Sequence, residues 1–224
     1  MFFKEVFLII TIDIVLTFYN NRRERLMRLS EIEEYFNVEF PEKFQQIYAS
    51  GTMDWMKCDI AEFNENKEKY ISDPASFLMM DSDCAPLFFS EVMESYDRLR
   101  QWITWKEDDE KVRLKDDIKL VPFAQNGAGD LYCFLYEDDN EPKVIIYAHD
   151  DDDTPGIAAD SFDEFLYLVM LSAAAFDEDI EGDSWKAHFG FLSNEYADKI
   201  SNRTVADLTD EYDSICFKPA DVWE

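Results

Sequence analysis

Between Leu120 and Ala175 apolar and polar residues come in blocks that read as strand, turn, strand, acidic loop and helix. Residues 131–136 (Leu-Tyr-Cys-Phe-Leu-Tyr) and 143–148 (Lys-Val-Ile-Ile-Tyr-Ala) are apolar at successive rather than alternate positions, the pattern of strands covered on both faces. The acidic turn Glu137-Asp138-Asp139-Asn140-Glu141-Pro142 separates them, so they are expected as antiparallel neighbours. Upstream, Leu120-Val121-Pro122-Phe123 reads as a strand that starts at Pro122 or lies at a sheet edge, because proline has no N–H for a ladder. Asn126-Gly127 and Gly129-Asp130 supply residues that tolerate positive φ, which predicts a tight turn. The Gly-x-Gly there leads into a strand rather than a helix, so it is not a phosphate loop. Beyond four consecutive aspartates, Ser161-Phe162-Asp163-Glu164 has capping-box spacing, and Phe162, Phe165, Leu166, Val169 and Ala173 follow as one apolar stripe of a helix that packs on the sheet.

The same reading extends in both directions. Ser30-Glu31-Ile32-Glu33 is a second capping box and predicts a short helix, broken at Asn37-Val38-Glu39-Phe40. Pro41 suits the first turn of another helix, with Phe44, Ile47 and Tyr48 on one face and Gly51 as its stop. Residues 52–104 are mixed, with strand and helix competing around Phe77–Met80 and a helix expected from Ser90, carrying Val92, Met93, Tyr96, Leu99 and Ile103. Lys106 to Asp117 reads as a charged, solvated loop. After Phe176, Trp185, Phe189, Phe191, Leu192, Tyr196 and Ile200 are enough apolar residues to pack, and Thr204 to Tyr212 can form a short helix.

The first 19 residues look superficially like a membrane span followed by Arg22, Arg23, Arg25 and Arg28. Spanning takes about 20 predominantly apolar residues, and Glu5 and Asp13 interrupt this run. A signal peptide fits poorly, because the basic residues follow the apolar stretch. The expectation is a segment packed on the protein, with Met27 an alternative start.

Composition changes the picture at one point. The 224 residues include 19 Phe, 11 Tyr and 5 Trp, ample for a core, but the formal net charge is −29. Residues 1–28 carry five basic and three acidic side chains, so the acidity belongs to the body. A protein held to phosphates needs a basic face, which argues against direct nucleic-acid binding and for a basic protein partner. Solubility of an aromatic-rich chain is the competing reason for the charge.

The chemistry of catalytic or metal sites is thin. Cys58, Cys84, Cys133 and Cys216 are far apart, and His149 and His188 are the two histidines, so structural-zinc spacing is missing and free thiols in a reducing cytoplasm are expected. Asp177, Asp179, Glu181 and Gly182 mimic the start of a calcium loop whose twelfth position is His188 rather than glutamate. His149 beside Asp150 and Asp152 is the one constellation that could serve acid–base chemistry, but no nucleophile or metalloprotease motif accompanies it. No catalytic residue, metal or cofactor is expected.

Val121-Pro122-Phe123-Ala124 with Asn126-Gly127 and Gly129-Asp130, the apolar strand pair, and Ala159-Asp160-Ser161-Phe162-Asp163-Glu164-Phe165-Leu166 resemble the SUKH superfamily, the Smi/Knr-type domain. Ile32-Glu33-Glu34, Val38, Phe40-Pro41-Glu42, Phe44 and Gly51 resemble that family's opening helix pair, although the family's second glycine is here Thr52. The resemblance implies an α+β fold, a mainly antiparallel twisted sheet wrapped by helices, over 30–175. Residues 1–29 then form an apolar and basic segment, and 176–224 a C-terminal extension packed on the domain. It also implies a non-catalytic immunity protein that binds and neutralises a toxin, often a nuclease, with a regulatory scaffold as the alternative. The candidate partner-binding residues are Glu137, Asp138, Asp139, Asp150, Asp151, Asp152 and Asp153, with an ordinary solvated loop the competing reading. Trp55 joins them as a possible hot spot, and Trp105 is weighed beside it, with a buried core position the alternative for both.

Overall fold

The computed structural model describes residues 28–51, 53–66, 84–137, 140–149, 155–176, 190–201 and 203–224. The N-terminal apolar segment and the calcium-like stretch at 177–188 lie outside them. No described helix is long and apolar enough to cross a membrane.

The helix pair forms as the pattern predicts, with one shift. Helix α1 spans Leu29–Phe36 and α2 spans Glu42–Ala49. The capping carboxylate of α1 is Glu31, which accepts the Arg28 N–H at 2.7 Å, so the helix begins ahead of Ser30. Glu33, expected in the box, instead reaches forward and accepts the Phe40 N–H at 2.9 Å. Starting earlier lets α1 bury Leu29 as well as Ile32 and Phe36. Asn37 ends α1 with φ +49°, and Gly51, at φ +83°, follows α2, both left-handed positions that turn the chain.

A 3-10 turn at Asp54–Lys57 and helix α3, Ile60–Glu65, follow. Strand β1 is only Ala85–Pro86, and helix α4 runs from Phe89 to Glu110. The loop expected from Lys106 is therefore helical for its first five residues. Its remainder is tied to the C-terminus: Leu114 bridges Trp223, Arg113 N–H donates to the Glu224 carbonyl at 2.9 Å and Lys115 N–H to the Val222 carbonyl at 3.1 Å. Charge alone could not reveal this, because the ladder uses backbone groups.

Strands β2 (Lys119–Gln125), β3 (Leu131–Tyr136), β4 (Lys143–Tyr147), β5 (Gly156–Ala159) and β6 (Lys218–Pro219) complete a six-stranded sheet in sequence order, antiparallel throughout. The pairing of β3 with β4 is the one predicted, Leu131 opposite Tyr147 and Phe134 opposite Val144. Pro122 neither starts β2 nor lies on an edge strand. It sits mid-strand beside a bulge between Pro122 and Ala124, and β1 reaches only Ala124 and Gln125, so no ladder bond is asked of its missing N–H.

Helix α5 is Phe162–Phe176, and α6 (Asn194–Ser201) and α7 (Val205–Asp213) follow. Ser161 caps α5 as expected, its Oγ accepting the Glu164 N–H at 3.1 Å, while Glu164 reaches back one residue further, to the Asp160 N–H at 2.7 Å. The helix is not a single stripe. Residues 165–172 are all buried, because one side meets the sheet and another meets α7: Leu208 is fully buried and Tyr167 donates its hydroxyl to Glu211 at 2.9 Å. The side chain of Ala173 lies outside the described residues.

The fold is thus α+β, an antiparallel sheet with helices on both faces. Val121, Phe123, Phe134 and Val144 face α1, α2, α5 and the start of α4. Leu120, Leu131, Cys133, Leu135, Ile145 and Tyr147 face Leu99 and Ile103 of α4 together with Ala220 and Val222. Successive residues of β3 thus serve opposite cores, the physical reason its sequence is apolar without alternation. All four cysteines are free, and burial pushes the Cys133 thiol well above its ordinary value.

Candidate functional site

A broad surface depression lies where the α1–α2 connection meets the β3–β4 hairpin, a groove of about 1290 Å³. Its position follows from local structure. The left-handed turn at Asn37 swings Glu39 and Phe40 over the end of β3, and Tyr136 locks them there by donating its hydroxyl to the Glu39 carbonyl at 3.0 Å. From the sheet side, Lys119 donates to the Asn37 carbonyl at 2.7 Å.

Carboxylates dominate the lining. Glu33, Glu34, Glu39 and Glu42 come from the helix pair, Asp117 from the strand approach, Glu137 and Glu141 from the hairpin, and Asp163 from α5, against Lys43 and Lys119. Half of these are engaged within the fold. Glu33 holds the Phe40 N–H and, at 3.3 Å, the Gln45 amide; Glu42 accepts from Gln46 at 2.9 Å; Glu137 pairs with Lys143 at 2.6 Å; and Asp163 accepts the Ser193 N–H at 3.0 Å. Glu34, Glu39, Asp117 and Glu141 are exposed and have no cation on them among the described residues. Burial and then the negative field of Glu33 and Glu39 push the Tyr136 phenol above its ordinary value. Nearby, burial and then Glu164, Glu195, Asp163 and Asp160 push Tyr196 up to about 12. A surface of this kind stabilises cations placed on it and repels phosphates.

Of the residues singled out from the sequence, Glu137 lies in this groove. Asp138, Asp139, Asp150, Asp151, Asp152 and Asp153 lie outside the described residues. Trp55 does not reach the surface: it is 2% exposed, packed on Phe63 at 6.1 Å and Phe88 at 5.4 Å between the rings. The 3-10 turn tucks it under α3 and the start of α4, so it is a core residue rather than a surface anchor. Trp105 is the reverse, 59% exposed, on the side of α4 turned away from the buried Leu99 and Ile103.

His149 is set by the β2–β3 turn rather than by its aspartate neighbours in sequence. Asp130 Oδ1 accepts the His149 N–H at 3.1 Å and lies 2.8 Å from its Nδ1, while Asp130 Oδ2 accepts from Asn126 Nδ2 at 2.9 Å. The ring also lies 5.6 Å from Trp102. This arrangement fastens the end of β4, where the acidic run begins, to the turn at 126–130. Among the described residues no group of His, Cys, Asp or Glu is placed to hold a metal ion.

Sequence reasoning missed Glu34, Glu39, Asp117 and Tyr136 as parts of one surface. The Glu-Glu pair of α1 and the charged approach to β2 were visible, but they are about 80 residues apart, and nothing local says that they meet.

A family model described as SMI1 / KNR4 family (SUKH-1) matches residues 27–168, from the start of α1 into α5. No curated protein matches the chain, and no solved structure does.

Proposed function

Since the chain belongs to the SMI1 / KNR4 family (SUKH-1), we propose that it is a cytoplasmic immunity protein, which binds a basic, nuclease-type toxin domain and neutralises it by contact rather than by catalysis. Occurrence of the SUKH domain in immunity-type proteins supports this reading. The observation that carries it is the acidic groove: eight carboxylates against two lysines on a chain of net charge −29. A nuclease needs a basic surface for phosphate, and a protein with this field associates quickly with such a surface and covers it. Glu137 joins the groove to the hairpin, and Asp138 and Asp139, next to it in the chain, are proposed as part of the same contact. Asp150, Asp151, Asp152 and Asp153 follow the opposite end of β4, which His149 ties to the 126–130 turn, and are proposed as a second, separate acidic contact.

The test begins with the genes beside this one. Co-expression with a toxin encoded immediately upstream should restore growth, and failure to protect cells from any neighbouring effector would sink the proposal. With the purified pair, Glu34→Gln, Glu39→Gln and Glu141→Gln combined should slow association by about tenfold at low salt, with the difference closing at high salt. Charge reversal of Asp151, Asp152 and Asp153 should act in the same direction. An unchanged rate in both variants would remove the groove and the loop from the interface.

A further inference from the structure

Tyr35 and Phe36 of α1 turn away from the acidic groove and line a second pocket, of about 530 Å³, with Tyr96, Ile103, Ile118 and Leu120. Its chemistry is different. Phe36, Ile103, Ile118 and Leu120 are at most 9% exposed and form an apolar floor, and Phe36 packs edge-on against Tyr96 with ring centres 4.8 Å apart. The charges at its rim are Arg100, Lys119 and Glu107. Lys119 is committed to the Asn37 carbonyl, and Glu107 Oε1 accepts the Leu114 N–H at 3.0 Å. Arg100 is exposed, and its guanidinium has no carboxylate partner among the described residues. Arg100 and Thr104 also line an adjoining hollow of about 360 Å³, together with Asp97, Gln101 and Trp105. Two exposed aromatic side chains, Tyr35 at 41% and Trp105 at 59%, therefore flank an apolar pocket with the Arg100 guanidinium at its rim.

Tyr, Trp and Arg around an apolar depression are the residue types that carry binding energy at protein interfaces. An arginine without a carboxylate on so acidic a chain calls for an anion from outside. We infer that this pocket is a second protein-docking site, which takes one bulky apolar side chain of a partner segment and pairs Arg100 with an acidic side chain next to it. The segment it selects is acidic and apolar, the opposite of what the acidic groove selects, so the inference stands apart from the toxin-binding reading. The volume suits one leucine or phenylalanine side chain with its backbone.

Titration of the ¹⁵N-labelled full-length protein with three capped dipeptides tests this: acetyl-Glu-Phe-amide, acetyl-Gln-Phe-amide and acetyl-Lys-Phe-amide. The Glu probe should shift the amides of Tyr35, Tyr96, Ile103 and Ile118, and the Gln probe should bind about three- to fivefold more weakly, the scale of an exposed ion pair. Arg100→Gln should abolish that difference without unfolding the protein, since the side chain is exposed. Thr104→Trp, at an exposed position of α4, should block all three probes by filling the entrance. Equal binding of the Glu and Gln probes, shifts confined to other surfaces, or binding undiminished in Thr104→Trp would overturn the inference. So would concentration-dependent self-association that Arg100→Gln abolishes, which would make a second copy of the chain the occupant.

Discussion

Asp130→Asn tests the structure at the point where the predicted turn meets the base of the acidic loop. The aspartate is 13% exposed and uses both oxygens as acceptors, Oδ1 for the N–H and ring of His149 and Oδ2 for the Asn126 amide. Asparagine has one acceptor. Whichever way its amide is turned, an NH₂ group faces either His149 or Asn126, and one donor loses its partner. A hydrogen bond to a charged acceptor contributes about 1.5–3 kcal/mol, discounted here because His149 is partly exposed, so a loss of about 1–2 kcal/mol is expected. For a chain of this size that is a fall in Tm of about 3–6 °C. The pH dependence supplies the sign. Burial alone would raise the Asp130 carboxyl, but the hydrogen bonds from His149 and Asn126 outweigh it and hold the group below its ordinary value of 3.8. A depressed carboxylate contributes stability that is present above 3.8 and lost as pH falls through the lower folded value. Urea unfolding followed by circular dichroism should therefore show a full gap between wild type and variant at pH 7, with the gap closing in strong acid. Equal stability at pH 7, or a gap that persists in acid, would refute the account.

Phe134→Ala should be far more costly: Phe134 is fully buried and lies 4.1 Å from Phe123, 5.3 Å from Phe40 and 5.6 Å from Phe162 between ring centres, so a loss of about 3–5 kcal/mol in urea unfolding is expected. Trp105→Ala, at an exposed site, should stay within about 0.5 kcal/mol of wild type. Leu208→Ala should cost about 2–5 kcal/mol and speed proteolytic removal of the C-terminal helices, because Leu208 is fully buried against the core; a shift below about 1 kcal/mol would mean that α7 is not held there. Gly129→Ala meets no atom within 4 Å, yet its φ of +96° is strained for any side chain. A cost of about 1 kcal/mol by thermal melting is expected from backbone strain alone.

What was legible in the chain was local. The strand pair at 131–136 and 143–147, the turn at 126–130, the cap at Ser161 and the stops at Asn37 and Gly51 each rest on the chemistry of a few adjacent residues. The reading failed where a distant element decided the outcome. Strands β1 and β6 are two residues long and exist because a neighbouring strand offers them bonds. Residues 111–117 looked like solvated loop, but the C-terminal backbone pairs with Arg113, Leu114 and Lys115. Pro122 looked like a strand start, until a bulge and a short neighbour removed the need for its N–H. Trp55 and Trp105 are indistinguishable by composition, and only the path of the chain buries the first and exposes the second.

By itself the sequence determined the class of fold, the order of its central elements and the sign of its charge, since hydrophobic period, turn chemistry and carboxylate count are properties of neighbours or of totals. Only the tertiary structure decided where that charge gathers. Glu34, Glu39, Asp117 and Glu141 form one surface because α1, the approach to β2 and the β3–β4 hairpin meet there. Arg100 stands apart from them, beside an apolar pocket, because α1 separates the two. A long-range field depends on distances through space, and those distances are set by packing.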